Sequence, residues 1–361
     1  MTQQPQPFRG ICRLIGIGIL IFAVSIMGPV RAQNAATATP RSAAQIEQLV
    51  APIALYPDAL LSQILMASTY PLEVVAAARW SQANPAVTGD ALKTALEKQS
   101  WDPSVKSLTA IPQTLQMMND KLDWTQQLGD AFLAQQTDVL DAVQRLRARA
   151  DANGQLKSTP EQTVTTAPRP APQGPAPATP ASVPANVYTI EPTNPDEYYV
   201  PIYDPGVVYG DWPYPDYAPF YWYPPGYAGT GYRFAAGVLA GAAIWGGVNW
   251  FGNRLQVNPL RYNSFNRTNI TNNNWAHNPA HRGGVPYRDA GVAQRFGNQG
   301  NGAARDAFRG KADAGRRDLA ANPGANRPGA NRPGGNTPGA NRPSQNGPGN
   351  TKAAAAKNRA G

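Results

Sequence analysis

Apolar residues recur at steps of three and four positions through residues 42–157, which is the period of an amphipathic helix. A capping-box pattern, Ser42 followed three residues later by Gln45, precedes the first apolar run. Proline marks the breaks between runs, where it suits the first turn of a new helix. These breaks are Tyr56-Pro57, Tyr70-Pro71, Asn84-Pro85, Asp102-Pro103 and Ile111-Pro112. The pattern predicts a small all-α domain of about six helices, the longest running from Trp124 to Asn153.

The composition changes in residues 158–184 to Pro, Ala, Thr and Gln, with few large apolar residues. Such a stretch buries too little apolar surface to offset the entropy lost on ordering. It predicts a semi-stiff, polyproline-like linker. Few contacts are expected to cross it.

A Tyr/Pro-rich segment follows in residues 185–232, with the runs VYTIEP, EYYVPIY and VVYG separated by turn residues. Runs of this kind predict a small β hairpin or meander. Pro192, Pro201 and Pro205 restrict these strands to sheet edges or short pieces, because proline cannot donate a ladder hydrogen bond.

Residues 233–252 form a Gly-rich apolar segment whose central part, residues 234–251, is uncharged. Its length is marginal for crossing a membrane. Gly237 and Gly241 have the spacing that lets two helices approach closely. Two interpretations stay open, a membrane-spanning helix and a Gly-rich helix packed on protein or on a membrane surface.

The remainder, residues 253–361, is rich in Asn, Arg, Gly and Pro, with GANRP-like five-residue repeats from Gly324. A five-residue period with proline in every unit fits neither a helix nor a strand, so it predicts a long disordered tail. The expected fold class is thus an all-α N-terminal domain, a small Tyr/Pro-rich β-like segment and a disordered C-terminal tail.

The N-terminus has the features of a signal peptide, residues 1–32. Arg9 and Arg13 precede an apolar stretch, and small residues stand before a cleavage point after Ala32. An uncleaved anchor is the alternative. The one cysteine, Cys12, lies ahead of the apolar stretch, so the cleaved chain would have no thiol chemistry and no lipid on that residue. We expect export to the periplasm or the outer cell envelope.

Charge is unevenly distributed. Residues 42–160 hold 9 Lys and Arg against 12 Asp and Glu, residues 161–250 hold 2 against 7, and residues 251–361 hold 17 against 4. A basic tail indicates an anionic partner. For an exported protein the expected partner is a lipid headgroup, lipopolysaccharide or wall polymer rather than nucleic acid. Membrane association and contact with another envelope protein are also compatible with this pattern.

No motif for nucleotide, metal or serine-hydrolase chemistry is found. His277 and His281 could share a metal only on a helix, which Pro279 opposes, so polar loop histidines and no metal or other cofactor are expected. Five carboxylates of the helical domain could supply the acid and base of a glycosidase, and three tryptophans could line a ligand cleft. Helix capping and solvation for the carboxylates, and packing in the core for the tryptophans, are the expected roles. These residues are Asp58, Glu73, Asp102, Asp120, Asp123, Trp80, Trp101 and Trp124.

Tyrosine is concentrated in the Tyr/Pro-rich segment, which holds 11 of the 15 tyrosines between Tyr188 and Tyr232. Such side chains offer a flat apolar face with a polar tip, which suits contact surfaces. The candidate contact residues are Tyr198, Tyr199, Tyr203, Tyr209, Trp212, Tyr221 and Trp222. Two interpretations stay open, contact with a partner and an extended cover over the chain's own helices.

Long stretches of this sequence resemble the exported bacterial family called domain of unknown function 3300. They are LVAPIALYPDALLSQILMASTYPLEVVAAARW, QSWDPSVKSL, KLDWTQQLGDAFLAQQTDVLDAVQRLRARA, YYVPIYDPGVVYG and NPAHRGGVPYRDA. The resemblance implies export and a helical domain followed by low-complexity sequence. It implies no activity and no catalytic residue.

The hypothesis that follows is an exported, non-enzymatic structural or interaction module of the cell envelope. The alternatives are a hydrolase or enzyme accessory acting on wall or surface polysaccharide, and a membrane protein spanning at residues 234–251.

Overall fold

The computed structural model describes residues 40–170, 183–222 and 232–297 of the chain. Eight helices follow one another between residues 43 and 152. They are α1 (Ala43–Val50), α2 (Asp58–Ser68), α3 (Pro71–Ala83), α4 (Gly89–Glu97), α5 (Pro103–Leu108), α6 (Pro112–Asp120), α7 (Leu122–Ala134) and α8 (Gln136–Ala152). The helical start of the predicted fold class is confirmed, with eight helices where the sequence pattern predicted about six.

Local start signals place these helices. The Ser42 hydroxyl accepts from the Gln45 backbone N–H, and the Gln45 side chain accepts from the Ser42 N–H, which completes the predicted capping box. Proline occupies the first turn of α3, α5 and α6, as the breaks in the pattern indicated. The Asp102 carboxylate accepts from the Ser104 N–H at 2.9 Å and so caps α5, as predicted for this residue.

The long last helix predicted from Trp124 is wrong, because the chain breaks between α7 and α8 at Gln135. The backbone there leaves the helical region, with φ −139° and ψ 54°. The Gln135 amide instead binds the chain start, accepting from the Arg41 N–H at 2.7 Å and donating to the Arg41 carbonyl at 3.1 Å. Tertiary hydrogen bonds therefore decide a boundary that the periodicity does not mark.

The predicted linker is wrong in its first part. Residues Gln162–Pro168 form strand β1, which pairs antiparallel with β2 (Asn186–Pro192) from Gln162 opposite Pro192 to Pro168 opposite Asn186. The run TVTT in β1 is β-branched and favours a strand over a polyproline spacer. Residues 171–182, the most Pro- and Ala-rich part, lie outside the described residues.

Short strands and turns continue the chain, as expected for the β-like segment. The described elements are β3 (Glu197–Tyr198), β4 (Pro201–Ile202), α9 (Pro205–Val208), β5 (Arg233–Phe234), β6 (Val238–Leu239), β7 (Gly246–Asn249) and β8 (Arg254–Val257). The pairs β3 with β6, β4 with β5 and β7 with β8 are all antiparallel. Each is a separate two-stranded sheet, in keeping with the high proline content.

The helix predicted for residues 234–251 is therefore wrong under both interpretations left open by the sequence. The stretch forms β6, a 3-10 turn at Gly241–Ala243 and β7, since its many glycines disfavour a helix. Among the described residues no single helix is long and apolar enough to cross a membrane. Taken together, α2 and α3 are long and apolar enough, by length and composition alone, but the two helices are bent by 114° relative to each other.

Part of the predicted disordered tail is folded. Residues 254–297 contain β8, α10 (Pro259–Asn266), a 3-10 helix at Pro279–Arg282 and α11 (Ala290–Phe296). Asn258, Asn278 and Asp289 cap the last three of these elements, which shows that an Asn-rich composition can supply helix starts as well as disorder. The predicted tail from residue 298 onward lies outside the described residues.

One hydrophobic core joins the early helices to the later segments. It contains Ile46 and Phe132 from the helices together with Ile190, Tyr209 and Trp245 from the later segments, each at most 2% exposed. The chain divides into units Met1–Phe308 and Arg309–Gly361, and every described residue belongs to the first. The helices of residues 42–157 are thus half of a larger folded unit.

Candidate functional site

Four of the seven candidate contact residues are buried against the helices. Tyr198, Tyr203, Tyr209 and Trp222 are each at most 5% exposed. The hydroxyls of Tyr203 and Tyr209 both donate to the Ala51 carbonyl, at 2.9 and 2.7 Å. These side chains form the extended cover that was one of the two interpretations. Trp222 also lines a groove beside α6.

The other three candidates lie nearer the surface. Tyr199 is half-buried and donates to the Glu197 carboxylate at 2.9 Å. Trp212 is half-buried and donates from its indole N–H to the Tyr217 carbonyl at 2.8 Å. Tyr221 is 43% exposed. Of the seven candidates, these three present the most surface to a partner.

The two histidines of the sequence converge on Tyr70, at the start of α3. The His277 ring stacks on the Tyr70 ring with centroids 5.1 Å apart and planes inclined by 15°. Its Nε2 lies 2.9 Å from the Tyr287 hydroxyl and its Nδ1 3.2 Å from the Thr69 hydroxyl. Burial, reinforced by the nearby Arg282 charge, lowers the pKa of His277 to about 3. This imidazole is neutral at physiological pH.

His281 pairs with a carboxylate of α3. Its Nδ1 lies 2.8 Å from Glu73 Oε1, while Glu73 Oε2 accepts from the Asp102 backbone N–H at 2.6 Å. Burial raises the pKa of Glu73 and of Asp102 above their usual range. Burial lowers the pKa of Lys106, and the negative charges of the neighbouring Glu73 and Asp102 partly offset this decrease. Four ionisable groups from three distant segments are thus brought together.

Within the described residues, this cluster resembles part of a general-base site. A carboxylate-oriented imidazole can act as a general base, but no hydroxyl nucleophile is hydrogen-bonded to His281 within the described residues. Among those residues no group of three or more His, Cys, Asp or Glu is arranged to hold a metal ion. From the sequence, the two histidines were expected to be polar loop residues. The cluster becomes visible only in the fold, where His277 lies against Tyr70 and His281 against Glu73.

Arg282, next to this cluster, anchors the segment that carries the histidines. It is 1% exposed, pairs with Asp130 of α7, and donates from Nη1 to the Thr69 carbonyl at 3.0 Å. Its guanidinium carbon lies 4.2 Å from the centre of the Tyr287 ring. A buried guanidinium satisfied in this way fixes the segment on the ends of α2 and α7.

A second buried ion pair overturns the expectation for Asp58. Its carboxylate does not serve as a solvated helix start. It accepts from Arg147 at 2.6 Å and from the Trp250 indole N–H at 2.7 Å. Arg147 also donates to the Ala54 and Tyr56 carbonyls, at 2.8 and 2.9 Å. Asp58 therefore joins α2, α8 and the turn after β7.

Two grooves flank α6. The larger, of about 720 Å³, lies between the α3–α4 connection, the start of α6 and β6. The smaller, of about 300 Å³, lies between α6, β4 and Trp222. Gln113 and Gln116 line both. Of the tryptophans noted in the sequence, Trp80 lines the larger groove and packs edge-on against Trp101, while Trp124 belongs to the core as predicted.

Comparison with known proteins places the sequence among uncharacterised relatives. Residues 42–282 match the model of the family described as "Protein of unknown function (DUF3300)". The chain is 42% identical over 310 residues to the uncharacterized protein YacH of Escherichia coli strain K12. This match covers 71% of this chain and 50% of the length of YacH. This chain thus spans about half the length of that curated relative. No solved structure matches this chain.

Proposed function

Since the chain belongs to the DUF3300 family, which carries no assigned activity, we propose a function from its own residues. It is an exported, non-enzymatic interaction module of the cell envelope that sits in the periplasm or outer envelope. Its folded part is a platform, and its basic C-terminal part binds an anionic envelope component such as a lipid headgroup, lipopolysaccharide or a wall polymer.

Charge segregation is the observation that carries this proposal. Residues 40–297 hold 18 Lys and Arg against 20 Asp and Glu, so they are nearly neutral. Residues 298–361 hold 11 Lys and Arg against 3 Asp, a net charge of +8. Each basic residue near an anionic surface contributes about 1 kcal/mol of attraction. The net positive charge that attracts an anionic partner is therefore concentrated beyond residue 297.

The commitment of buried carboxylates to structural partners supports the non-enzymatic part. Glu47 pairs with Arg145 and Arg149, at 2.5 and 2.9 Å, and is fully buried. Asp58 and Asp130 pair with Arg147 and Arg282. Each of these carboxylates is held by a guanidinium, which opposes the proton exchange that a catalytic acid or base must carry out with its substrate. Within the described residues, the Glu73–His281 pair is the observation that favours the hydrolase alternative, and an assay of wall-polysaccharide hydrolysis with Glu73→Gln would test it.

Sedimentation with lipid vesicles tests the proposed tail function. The protein from Gln33 onward, without the predicted signal peptide, is expected to bind vesicles containing anionic lipid at 0.1 M salt and to be released at 1 M. This follows because the Debye length falls from about 10 Å to about 3 Å over that range. Vesicles of neutral lipid should not bind it at either salt concentration.

The matched control keeps the length of the tail and removes its charge. Replacing all 11 Lys and Arg of residues 298–361 by Gln should abolish binding at low salt, because the attraction is Coulombic. Binding that persists both in this variant and in 1 M salt would contradict the proposal and would implicate an apolar surface of the folded part.

A further inference from the structure

The larger groove beside α6 is free of charge, which is unusual on a chain with 55 charged residues, 32 basic and 23 acidic. Its lining contains no Asp, Glu, Lys, Arg or His. Its volume of about 720 Å³ is in the range of small-ligand sites. Placing an ion here would remove it from water with no opposite charge in the lining, which is costly. The groove therefore suits a neutral ligand.

Side-chain amides supply most of the hydrogen-bonding capacity. The lining amides belong to Gln82, Asn84, Gln113 and Gln116. Each amide offers both a carbonyl acceptor and an NH₂ donor, which matches hydroxyl groups that also donate and accept. Gln113 is half-buried, and within the described part of the chain its amide has no hydrogen-bond partner.

The other amides are held in place by their neighbours. Asn84 donates to the Trp80 carbonyl at 2.8 Å, and Gln82 donates to the Gln116 carbonyl oxygen. Gln116 in turn donates to the Asp120 carboxylate at 2.6 Å. A chain of hydrogen bonds thus orients this row of amides before any ligand binds, which reduces the entropy lost on binding.

Apolar surface accompanies the amides. Trp80 is half-buried, and its ring centroid lies 6.1 Å from that of Trp101, with planes inclined by 73°. Leu239 of β6 is 80% exposed on the same groove. A sugar ring presents hydroxyls around its edge and C–H groups on its faces. An aromatic ring beside amides is complementary to both.

The smaller groove adjoins the larger one across α6, and its lining adds the charged side chains of Asp120 and Lys121. Gln113 and Gln116 line both grooves, and the buried Trp222 lines the second. The Trp222 indole N–H has no hydrogen-bond partner within the described residues. A buried donor without a partner is costly in a folded protein. Because that N–H is itself buried, a ligand that continues past Gln116 would meet the Trp222 ring and not the N–H.

We propose that the groove beside α6, lined by Trp80, Gln82, Asn84, Gln113 and Gln116, binds a neutral oligosaccharide. Such a site differs from the basic tail in place and in chemistry. It would give the folded platform its own ligand, so that the chain connects an uncharged glycan to an anionic surface.

Calorimetric titration of the full-length protein with maltotetraose, cellotetraose and tetra-N-acetylchitotetraose tests this proposal. At least one is expected to bind, with the same affinity at 0.1 M and 1 M salt because the ligand is neutral. This salt independence separates the groove from the tail, whose binding must fall with salt. Failure of all three sugars would overturn the glycan site and leave the tail function intact.

Matched variants locate the binding. Gln113→Ala should weaken it about fivefold through lost hydrogen bonds, with no cost to folding because Gln113 has no protein partner among the described residues. Gln126→Ala removes another half-buried amide, on α7 and outside both grooves, and should leave affinity unchanged. Equal affinity in the two variants would overturn the assignment.

A proline-rich peptide is the competing occupant, since aromatic grooves also bind such segments. Titration with APQGPAPATPAS, the sequence of residues 171–182, provides the comparison. Binding of this peptide that is weakened by Trp80→Phe, in the absence of sugar binding, would overturn the proposal. Sugar binding weakened by the same variant would support it.

Discussion

The His277 ring lies between Tyr70 and Phe296, and a proton on it would add a charge beside Arg282 and Arg295. Its pKa is lowered to about 3 in the fold, mainly by burial, against about 6.5 for an exposed histidine. Above pH 6.5 the ring is neutral in both folded and unfolded chains. As pH falls below that value, only the unfolded chain takes up the proton, and the fold loses stability.

Urea unfolding of wild type and His277→Gln at several pH values tests this effect. The wild-type free energy of unfolding, relative to the variant, should fall by about 1.4 kcal/mol for each pH unit between about 6 and 4. The comparison cancels carboxylates common to both proteins. Parallel stability curves over this range would show that the ring is protonated within the fold.

Residue roles were predictable from sequence where the partner is close in the chain. Ser42 and Asp102 cap helices through groups two or three residues away, and a short pattern encodes that. Asp58 bonds Arg147 and Trp250 across 89 and 192 positions, so its local position after proline indicated only a helix start. The histidine cluster escaped prediction for the same reason.

At the scale of elements, strand β7 depends on a close approach to α2. A Cβ on Gly246 would lie 2.2 Å from the Ser62 hydroxyl and 2.9 Å from the Gln63 amide oxygen. Ser62 is fully buried and donates to the Ala59 carbonyl at 2.8 Å, so it cannot move without losing that bond. The neighbouring Gly247 has open space where its Cβ would stand.

These adjacent glycines should respond in opposite ways to alanine. Gly246→Ala is expected to destabilise the fold by about 1–3 kcal/mol through overpacking. Gly247→Ala should be neutral or stabilising by about 0.5 kcal/mol, because alanine loses less backbone entropy on folding. Thermal or urea unfolding measures both. Equal effects would mean that β7 does not lie on α2 as described.

The predicted element types were correct where the apolar periodicity was strong, and wrong where the prediction rested on composition. The helices of the first 157 residues were predicted from their apolar spacing, although not the break at Gln135. Residues 162–168 and 234–251 were read from their Pro-rich and Gly-rich surroundings. Their strands form because β1 and β7 find partners in β2 and β8, and such pairing outweighs local propensity.

At the scale of the whole molecule, the core is completed only by residues far along the chain. Trp250 is 4% exposed and donates to Asp58 of α2, and Arg282 is 1% exposed and donates to the Thr69 carbonyl at the end of α2. A chain ending at residue 157 would expose the surfaces they cover. We therefore expect residues 40–157 alone to lack a cooperative thermal transition, while residues 40–297 unfold cooperatively.

Circular dichroism melts of the two fragments provide the measurement, with the full-length protein as reference. Removing residues 298–361 should leave the melting temperature unchanged, because every core residue named above precedes residue 298. A cooperative melt of residues 40–157 would instead restore the domain boundary that the sequence composition predicted.

The β1–β2 ladder has a consequence for how this chain tolerates change in length. Its last hydrogen bond, from Arg169 N–H to the Ala185 carbonyl at 2.7 Å, holds the two ends of the Pro- and Ala-rich stretch side by side. Once the ends are fixed by the fold, doubling the stretch between them costs only about 0.6 kcal/mol of closure entropy. We therefore expect the stretch between residues 170 and 183 to tolerate insertion of an epitope or a reporter domain. For the same reason its length is expected to vary among related proteins.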